Sequence, residues 1–470
     1  MIAPVTLNPG LNSMSDTQKL LIWLPLRPGS AWRGEGIAQT VEQIVSNLSP
    51  LIRVEILTTP ECAVAFDEKL KSRCKIHTLR LAGKSRKVVS LTANESLTPS
   101  LIDLLAAKLG VKKFMRLSDI LTLPLYIIEL KWLCFQINHN RKFSNFDYFW
   151  FPAPNIYGIK GLRVRKVISF WDPFVFEYRD FGDVANVLYP MFFETYRSAD
   201  KIVTQSGTNK DYLVNVMNLN STKVHVINNG SPDYSPYKRS QNELSNENIL
   251  RLWAKGHYQG QDKSSAIASF VKDKINHSIL WRLLQKRQGS ACKIVLISTQ
   301  DRPYKGIALL MEIFNLYLQR YTEDIQIIFT TELQPEHRKK YPALVNRLHE
   351  ITRVSQAQHA LLHSISDLAI HPSFVEGGLG AYPQFEAESL DRPSLVNRGR
   401  HIDEMIRAGM LNDSEVEIIS ADFTNKDFAC QKINILLTVP QAVEENIECI
   451  RRCRVSWTDS GALYSKLFSS

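Results

Sequence analysis

The chain is 470 residues long, 44% hydrophobic and 22% charged, with 57 Lys and Arg against 47 Asp and Glu and a formal net charge of +10. That composition excludes a generally disordered chain, and the length predicts two or three domains, each able to bury its own core. The positive charge suits phosphate-bearing ligands or an anionic membrane and does not choose between them.

Seven cysteines without a CxxC pair argue against a disulfide framework and predict a reducing, cytoplasmic compartment. Residues 1–19 lack the basic and apolar blocks of a signal peptide and read as a ragged tail. The most membrane-like stretch, 117–135, is interrupted by Asp119, Pro124, Glu129 and Lys131, so it reads as two buried helices and not as a span. Lys108, Lys112, Lys113, Arg116, Lys131, Arg141 and Lys142 surround it, and peripheral docking on the inner face of an anionic membrane is the competing reading.

In chain order, residues 20–24 form an apolar run ending at Pro25, followed by a Gly/Pro-rich loop and by Ile37, Val41, Ile44, Val45 and Leu48 at helical spacing. Strand, loop and helix are predicted, then a second strand at 54–57. Short apolar runs at 148–151, 167–170, 201–204 and 224–227 continue a parallel doubly wound sheet. After Asn228-Asn229-Gly230 the chain turns polar, and 237–248 reads as an interdomain connection. Residues 249–288 look helical and are longer than an ordinary linker. The alternation restarts with a strand at 293–298, a helix at 307–318 carrying Leu310, Ile313, Phe314 and Tyr317 on one face, and strands at 325–330, 368–371, 395–397 and 416–419. Two Rossmann-like domains follow, with expected divisions at 1–240, 241–290 (helical linker or insertion), 291–440 and 441–470.

The sharpest constellation follows the strand at 368–371: Pro372-Ser373-Phe374-Val375-Glu376-Gly377-Gly378-Leu379-Gly380, with Glu386-Ala387-Glu388 expected to open the next helix. Ligands of open α/β sheets sit at such strand ends. Glycines such as Gly377 and Gly378 let the backbone approach a phosphate, and a helix N-terminus offers free N–H groups. Upstream, Ser298-Thr299-Gln300-Asp301-Arg302-Pro303-Tyr304-Lys305-Gly306 places two cations between a strand and a helix. In the first half, Pro28-Gly29-Ser30-Ala31-Trp32-Arg33-Gly34-Glu35-Gly36 is a glycine-rich strand-to-helix loop, a device common in turns of no special function.

Together these segments resemble the retaining GT-B glycosyltransferases of glycosyltransferase family 4, whose signature is a Pro-Ser, a Glu-Gly-x-Gly turn and a second Glu followed by Ala. The resemblance implies an α/β GT-B fold, two Rossmann-like doubly wound parallel-sheet domains facing across a cleft. It implies transfer of a hexose from a nucleoside diphosphate sugar to an acceptor hydroxyl, glycan or lipid-linked, with retention of configuration. It also implies roles: Glu376 beside the donor sugar, Glu386 on the ribose hydroxyls, Lys305 and Arg302 on the departing diphosphate, and Gly34 and Gly36 near the donor phosphate. Residues 199–206, 223–230 and 456–464 resemble further family segments, the last a closing helix that returns to the first domain.

The chain also departs from the pattern. Glu376 and Glu386 stand ten positions apart, wider than the usual spacing, so residues 381–385 are expected to hold a longer loop. The commoner pattern has its arginine at the position of Gln300, which makes Arg302 a shifted candidate. Where the family has His-Asp, this chain reads Trp171-Asp172. An indole can stack on a sugar and donate one hydrogen bond but cannot titrate. Asp172 carries over by position alone. His371 reads as a strand-end residue and Trp457 as core packing.

No Asp-x-Asp pair of the kind metal-dependent GT-A enzymes use is present, and no His/Cys/Asp/Glu set shows zinc spacing, so no metal, no cofactor and no nucleic-acid partner is expected. The alternatives are nucleotide-sugar epimerisation or hydrolysis on the same fold, or a catalytically impaired sugar-nucleotide-binding protein. A Rossmann oxidoreductase ranks last, for want of a clean GxGxxG.

Overall fold

A computed structural model of the chain describes residues 17–24, 36–58, 63, 66, 68–78, 89–90, 131, 134–135, 137–139, 143, 145–152, 159–173, 185–256, 263–290 and 292–470. Gly34 with most of its loop, and most of the basic, apolar region at 108–142, lie outside these residues.

The first sheet contains β1 (Gln18–Leu24), β2 (Ile52–Thr58), β3 (Lys75–Thr78), β4 (Val89–Ser90), β5 (Tyr148–Phe151), β6 (Arg165–Phe170), β7 (Lys201–Thr204) and β8 (Val224–Val226). Their spatial order is β4-β3-β2-β1-β5-β6-β7-β8, parallel except where β4 runs against β3. The second sheet contains β9 (Lys293–Ile297), β10 (Ile325–Phe329), β11 (Leu348–Glu350), β12 (Leu368–His371), β13 (Ser394–Asn397) and β14 (Ser420–Ala421), all parallel, in the order β11-β10-β9-β12-β13-β14. Each order reverses direction beside its first strand, between β1 and β5 and between β9 and β12. Such a switch point opens a crevice at the carboxyl ends of the strands.

The uninterrupted apolar runs are strands because both faces of each sheet are covered. Along β1 the alternation of a pleated strand sorts the side chains. Leu21 and Trp23 pack with Phe192 and Tyr196 of the helix Ala185–Arg197, whereas Leu20, Ile22 and Leu24 pack with Val41, Ile44 and Val45 of the helix Gly36–Asn47. In the second domain, Leu310, Ile313, Phe314 and Tyr317 of the helix Ile307–Arg320 cover one face.

The long segment after the first sheet forms two helices, Asn246–Lys255 and Lys263–Gly289. Ile249, Trp253, Leu280, Leu283 and Leu284 pack on Ile294, Leu296 and Ile328. These helices therefore form the other cover of the second sheet.

The C-terminal helix Trp457–Ser469 lies on the first domain. Tyr464 and Phe468 stack around Trp150 with ring centroids 5.5 and 5.8 Å away, and aromatic pairs of this kind contribute about 0.5–1.5 kcal/mol each beyond buried area. The crossing is tied down by hydrogen bonds to main-chain carbonyls: Ser231 N–H donates to Val455 O at 2.8 Å, and Ser460 Oγ donates to Asn228 O at 2.7 Å. Among the described residues, no helix is long and apolar enough to cross a membrane.

Two sequence expectations are corrected. The segment 416–419 is not a strand but the end of the helix Asp413–Ile419. Its β-branched run is overridden by a capping box in which Asn412 accepts from Glu415 N–H and the Glu415 side chain reaches back. Residues 381–385 do not form a longer loop, because Ala381 is the N-cap of the helix Tyr382–Glu388, with Pro383 in its first turn. Glu386 consequently lies inside that helix and does not begin it.

Candidate functional site between the domains

The loops after β9 and β12 meet at the switch point of the second sheet. After β9 the chain makes a 3-10 turn, Pro303–Lys305, then Gly306 with φ +67° as the N-cap of the next helix. A side chain at Gly306 would run into the carbonyl of Pro372. Phe374 N–H donates to Tyr304 O at 3.1 Å, and Tyr304, Phe374 and Val375 form a small apolar cluster. This packing brings Lys305 to Glu376.

Lys305 Nζ donates to Glu376 Oε1, and His371 Nε2 approaches the same oxygen at 2.7 Å. Burial opposes ionisation of Glu376, but Lys305 and His371 outweigh it and hold the carboxyl well below the usual carboxylate range. His401 is completely buried nearby, and burial pushes its imidazole down to about 3. Arg302 is exposed, and its guanidinium donates to Tyr304 Oη at 2.9 Å. The structure thus joins Lys305, Glu376 and His371 directly and leaves Arg302 on the rim of the same turn.

The first domain closes on this corner. Asn209 Nδ2 donates to Trp171 O at 2.8 Å and to Gly377 O at 3.0 Å. Gln205 Nε2 also donates to Trp171 O, at 3.0 Å, and a Cβ on Gly377 would strike both Trp171 O and Gln205. Gly378 faces Gln205 as well. Glu404, on the helix Arg400–Arg407, accepts from Thr208 N–H at 3.1 Å, from Thr208 Oγ1 at 2.6 Å and from Gly207 N–H, and Arg407 pairs with Asp211 at 2.8 Å. A narrow recess remains, lined by Pro173, Ser206, Thr208 and Asn209 from the first domain and by Glu376, Gly378, Arg400 and Glu404 from the second. Gly36 begins the helix whose Thr40 Oγ1 lies 3.5 Å from Tyr382 Oη across the interface.

Trp171 is buried and its Nε1–H donates to Pro152 O, so this residue meets the second domain through its backbone carbonyl. Asp172 is half-buried beside it.

Glu386 is buried and its oxygens have partners within the second domain and the connecting segment. Tyr234 Oη donates to Oε1 at 3.2 Å, while Oε2 stands 3.5 Å from His363 Nε2 and 3.9 Å from His359 Nδ1. Burial raises its carboxyl pKa, but His359, His363 and Tyr234 outweigh this and hold it below the usual value. Burial likewise pushes His359 down to about 4. Glu388 is structural, bound by Arg451 at 2.9 Å and Arg454 at 2.6 Å. His359, His363 and Glu386, which showed no zinc spacing in the sequence, nonetheless converge, their nitrogen and oxygen atoms lying within 4.8 Å of one another. The available signal was two histidines at i and i+4 on one face of the helix Gln356–Ile365. Arg400 and Glu404 carried no motif.

No family model matches the chain, and no curated protein matches it. Solved structures do. The Anabaena protein HepE, in complex with UDP and glucose, superposes with a TM-score of 0.57 at 12% identity, over 96% of this chain and 99% of that one. The fold is GT-B. A glycosyltransferase from Rickettsia africae gives a TM-score of 0.55 at 12% identity over 97% and 98% of the two chains. The UDP-forming α,α-trehalose-phosphate synthase of Burkholderia xenovorans, in complex with glucose-6-phosphate, gives 0.54 at 11% over 96% and 100%. In this GT-B chain the corner built from Lys305, Glu376 and the Gly377 turn lies where its two lobes meet.

Proposed function

We propose that the protein is a retaining hexosyltransferase of the family 4 type, which moves a hexose from a nucleoside diphosphate sugar to an acceptor hydroxyl on a glycan or lipid-linked sugar. The observation that carries this reading is the Lys305–Glu376 pair, held by the two switch-point loops against first-domain residues of the cleft. The complexes of HepE with UDP and glucose, and of the trehalose-phosphate synthase with glucose-6-phosphate, support a UDP-linked donor and a sugar acceptor.

The bond from the anomeric carbon to the diphosphate breaks while one to the acceptor oxygen forms on the same face, through an oxocarbenium-like centre. Lys305, with Arg302 and Arg400 at the rim, neutralises charge gathering on the diphosphate, so the transfer step requires no metal there. Glu376 orients the hexose by accepting from its hydroxyls. Gly377 and Gly378 let the backbone come close, and closure of Asn209 and Glu404 onto the second domain excludes water. No enzyme nucleophile is assigned. The six described cysteines are buried and none of them is in a disulfide, which suits a cytoplasmic site of action.

Product analysis tests the reaction class. With a UDP-hexose and a panel of acceptors, NMR is expected to show a glycoside with the donor's anomeric configuration. An inverted product would overturn retention, free sugar or an epimer would assign hydrolysis or epimerisation, and binding without turnover would favour an impaired sugar-nucleotide binder.

A further inference from the structure

We propose that His371 is a positioning residue of the donor-sugar site, which keeps the Glu376 carboxylate oriented when Lys305 turns from it to the diphosphate. This role rests on the donor chemistry proposed for Lys305 and Glu376. Lys305 Nζ and His371 Nε2 both meet one oxygen of Glu376, Oε1, the histidine at 2.7 Å. Among the described residues no hydrogen bond reaches Oε2, and Glu376 lines the recess between the domains. One oxygen is held, and the other is left for a hydroxyl of the hexose.

The two donors on Oε1 differ in how firmly they are placed. Lysine carries a point charge on a flexible four-carbon stem, so a diphosphate drawing on Lys305 loosens its hold on the carboxylate. His371 is the last residue of β12, in register with Val396 of β13, and its side chain is 5% exposed. A carboxylate can only accept, so the proton of the contact sits on His371 Nε2. His371 Nδ1 is buried and has no partner among the described residues, so no acceptor there draws the proton to the other nitrogen. The backbone on both sides of Glu376 is already pinned. Ser373 Oγ donates to Val375 O at 2.7 Å before it, and Asn209 Nδ2 donates to Gly377 O at 3.0 Å after it. What remains to be set is the Glu376 side chain itself, and with Lys305 on the diphosphate His371 alone sets it. Side-chain placement of this kind matters for rate because a small misplacement of a sugar-orienting group spoils the reacting geometry.

The test is steady-state kinetics of full-chain variants with the UDP-hexose and acceptor that the wild type uses, beside calorimetric titration of UDP. His371→Phe keeps a ring and removes the donor. His371→Gln brings an amide N–H near the place of Nε2, whereas His371→Asn brings one near Nδ1. The expected result is a fall in kcat of about 10- to 100-fold for His371→Phe and His371→Asn, the loss of one hydrogen bond to a charged group. His371→Gln should return to within about 5-fold of the wild type, since it restores that bond. UDP carries no hexose for Glu376 to hold, so it should bind all three variants within about 2-fold of the wild-type affinity. In a Glu376→Ala background, His371→Phe should cost no more than about 2-fold further, because a residue that acts through Glu376 then has nothing to position. Full activity of His371→Phe, penalties that multiply in the double variant, or equal losses in all three variants with UDP affinity falling in step would each overturn the proposal. Should His371→Phe fail to fold, His371→Asn against His371→Gln decides. A wild type that binds no UDP refutes the reading of Lys305 and the role of His371 with it, whereas wild-type turnover with multiplied penalties refutes the role of His371 alone.

Discussion

Lys305→Ala is expected to lower turnover of a nucleoside diphosphate hexose by about 100- to 1,000-fold, the ~2.7–4 kcal/mol that a preorganised charge-stabilising donor supplies. Its ammonium is held by Glu376 on a loop anchored at Pro372 and Tyr304, so little reorganisation is needed when charge builds on the diphosphate. The loss should fall on kcat more than on KM, because charge develops in the transition state. A second readout separates catalysis from folding. The carboxyl of Glu376 lies below its ordinary range in the folded protein, so its pairing adds stability above the unfolded-state pKa and loses it as pH falls through the lowered value. Urea unfolding should therefore show Lys305→Ala weakened at neutral pH, with the difference from wild type narrowing in acid. Wild-type turnover in the variant contradicts the assignment.

Gly306→Ala is expected to be the most damaging single-methyl change in the second domain. A left-handed residue other than glycine costs about 1–2 kcal/mol, and forcing a methyl into packed backbone adds about 1–3 kcal/mol. At Gly306, φ is +67° and the new Cβ meets the carbonyl of Pro372, so both terms apply and the loss should reach roughly 2–5 kcal/mol. Gly409 is the control: its φ is +70° but nothing lies within 4 Å of a built Cβ, so Gly409→Ala should lose only about 1–2 kcal/mol. Denaturant unfolding of both variants measures the difference. Equal losses would show that the Pro372 contact does not restrain the loop. Gly306→Ala should also lose activity, because Pro372 leads directly into the turn that presents Glu376.

Much of the architecture was readable because strands buried on both faces leave a plain signature. The runs at 148–151, 201–204 and 368–371 coincide with β5, β7 and β12, because parallel strands covered on both faces are short, largely apolar stretches. Errors arose where two local signals compete. Val416, Ile418 and Ile419 favour a strand by side-chain shape, but the cap at Asn412 commits the backbone first. The loop expected at 381–385 rested on the ten-residue spacing of Glu376 and Glu386, but Pro383 sits in the first turn of a helix, where proline is well tolerated. The short strands β3 and β11 carry too few apolar residues to stand out.

The site was legible to the same extent and for a similar reason. Lys305 and Glu376 could be found because glycines and charges sit in sequence between a strand and a helix. Glu404, Asn209 and Arg400 reach the cleft from helices and loops whose local sequence is ordinary, and only docking of the two domains gives them a role. A sequence does not tell whether the indole of Trp171 points into the cleft or back toward Pro152, to which its N–H donates. His359 and His363 were overlooked because their carboxylate partner is supplied by a different helix.

Calorimetric titration of UDP and UDP-hexoses into the wild type and into Lys305→Ala tests the central claim most directly. Saturable binding by the wild type, weakened about 10- to 100-fold in the variant as loss of a charged hydrogen bond predicts, is the expected result. Binding of none of these ligands, or equal affinity in both proteins, contradicts a nucleoside diphosphate held at Lys305.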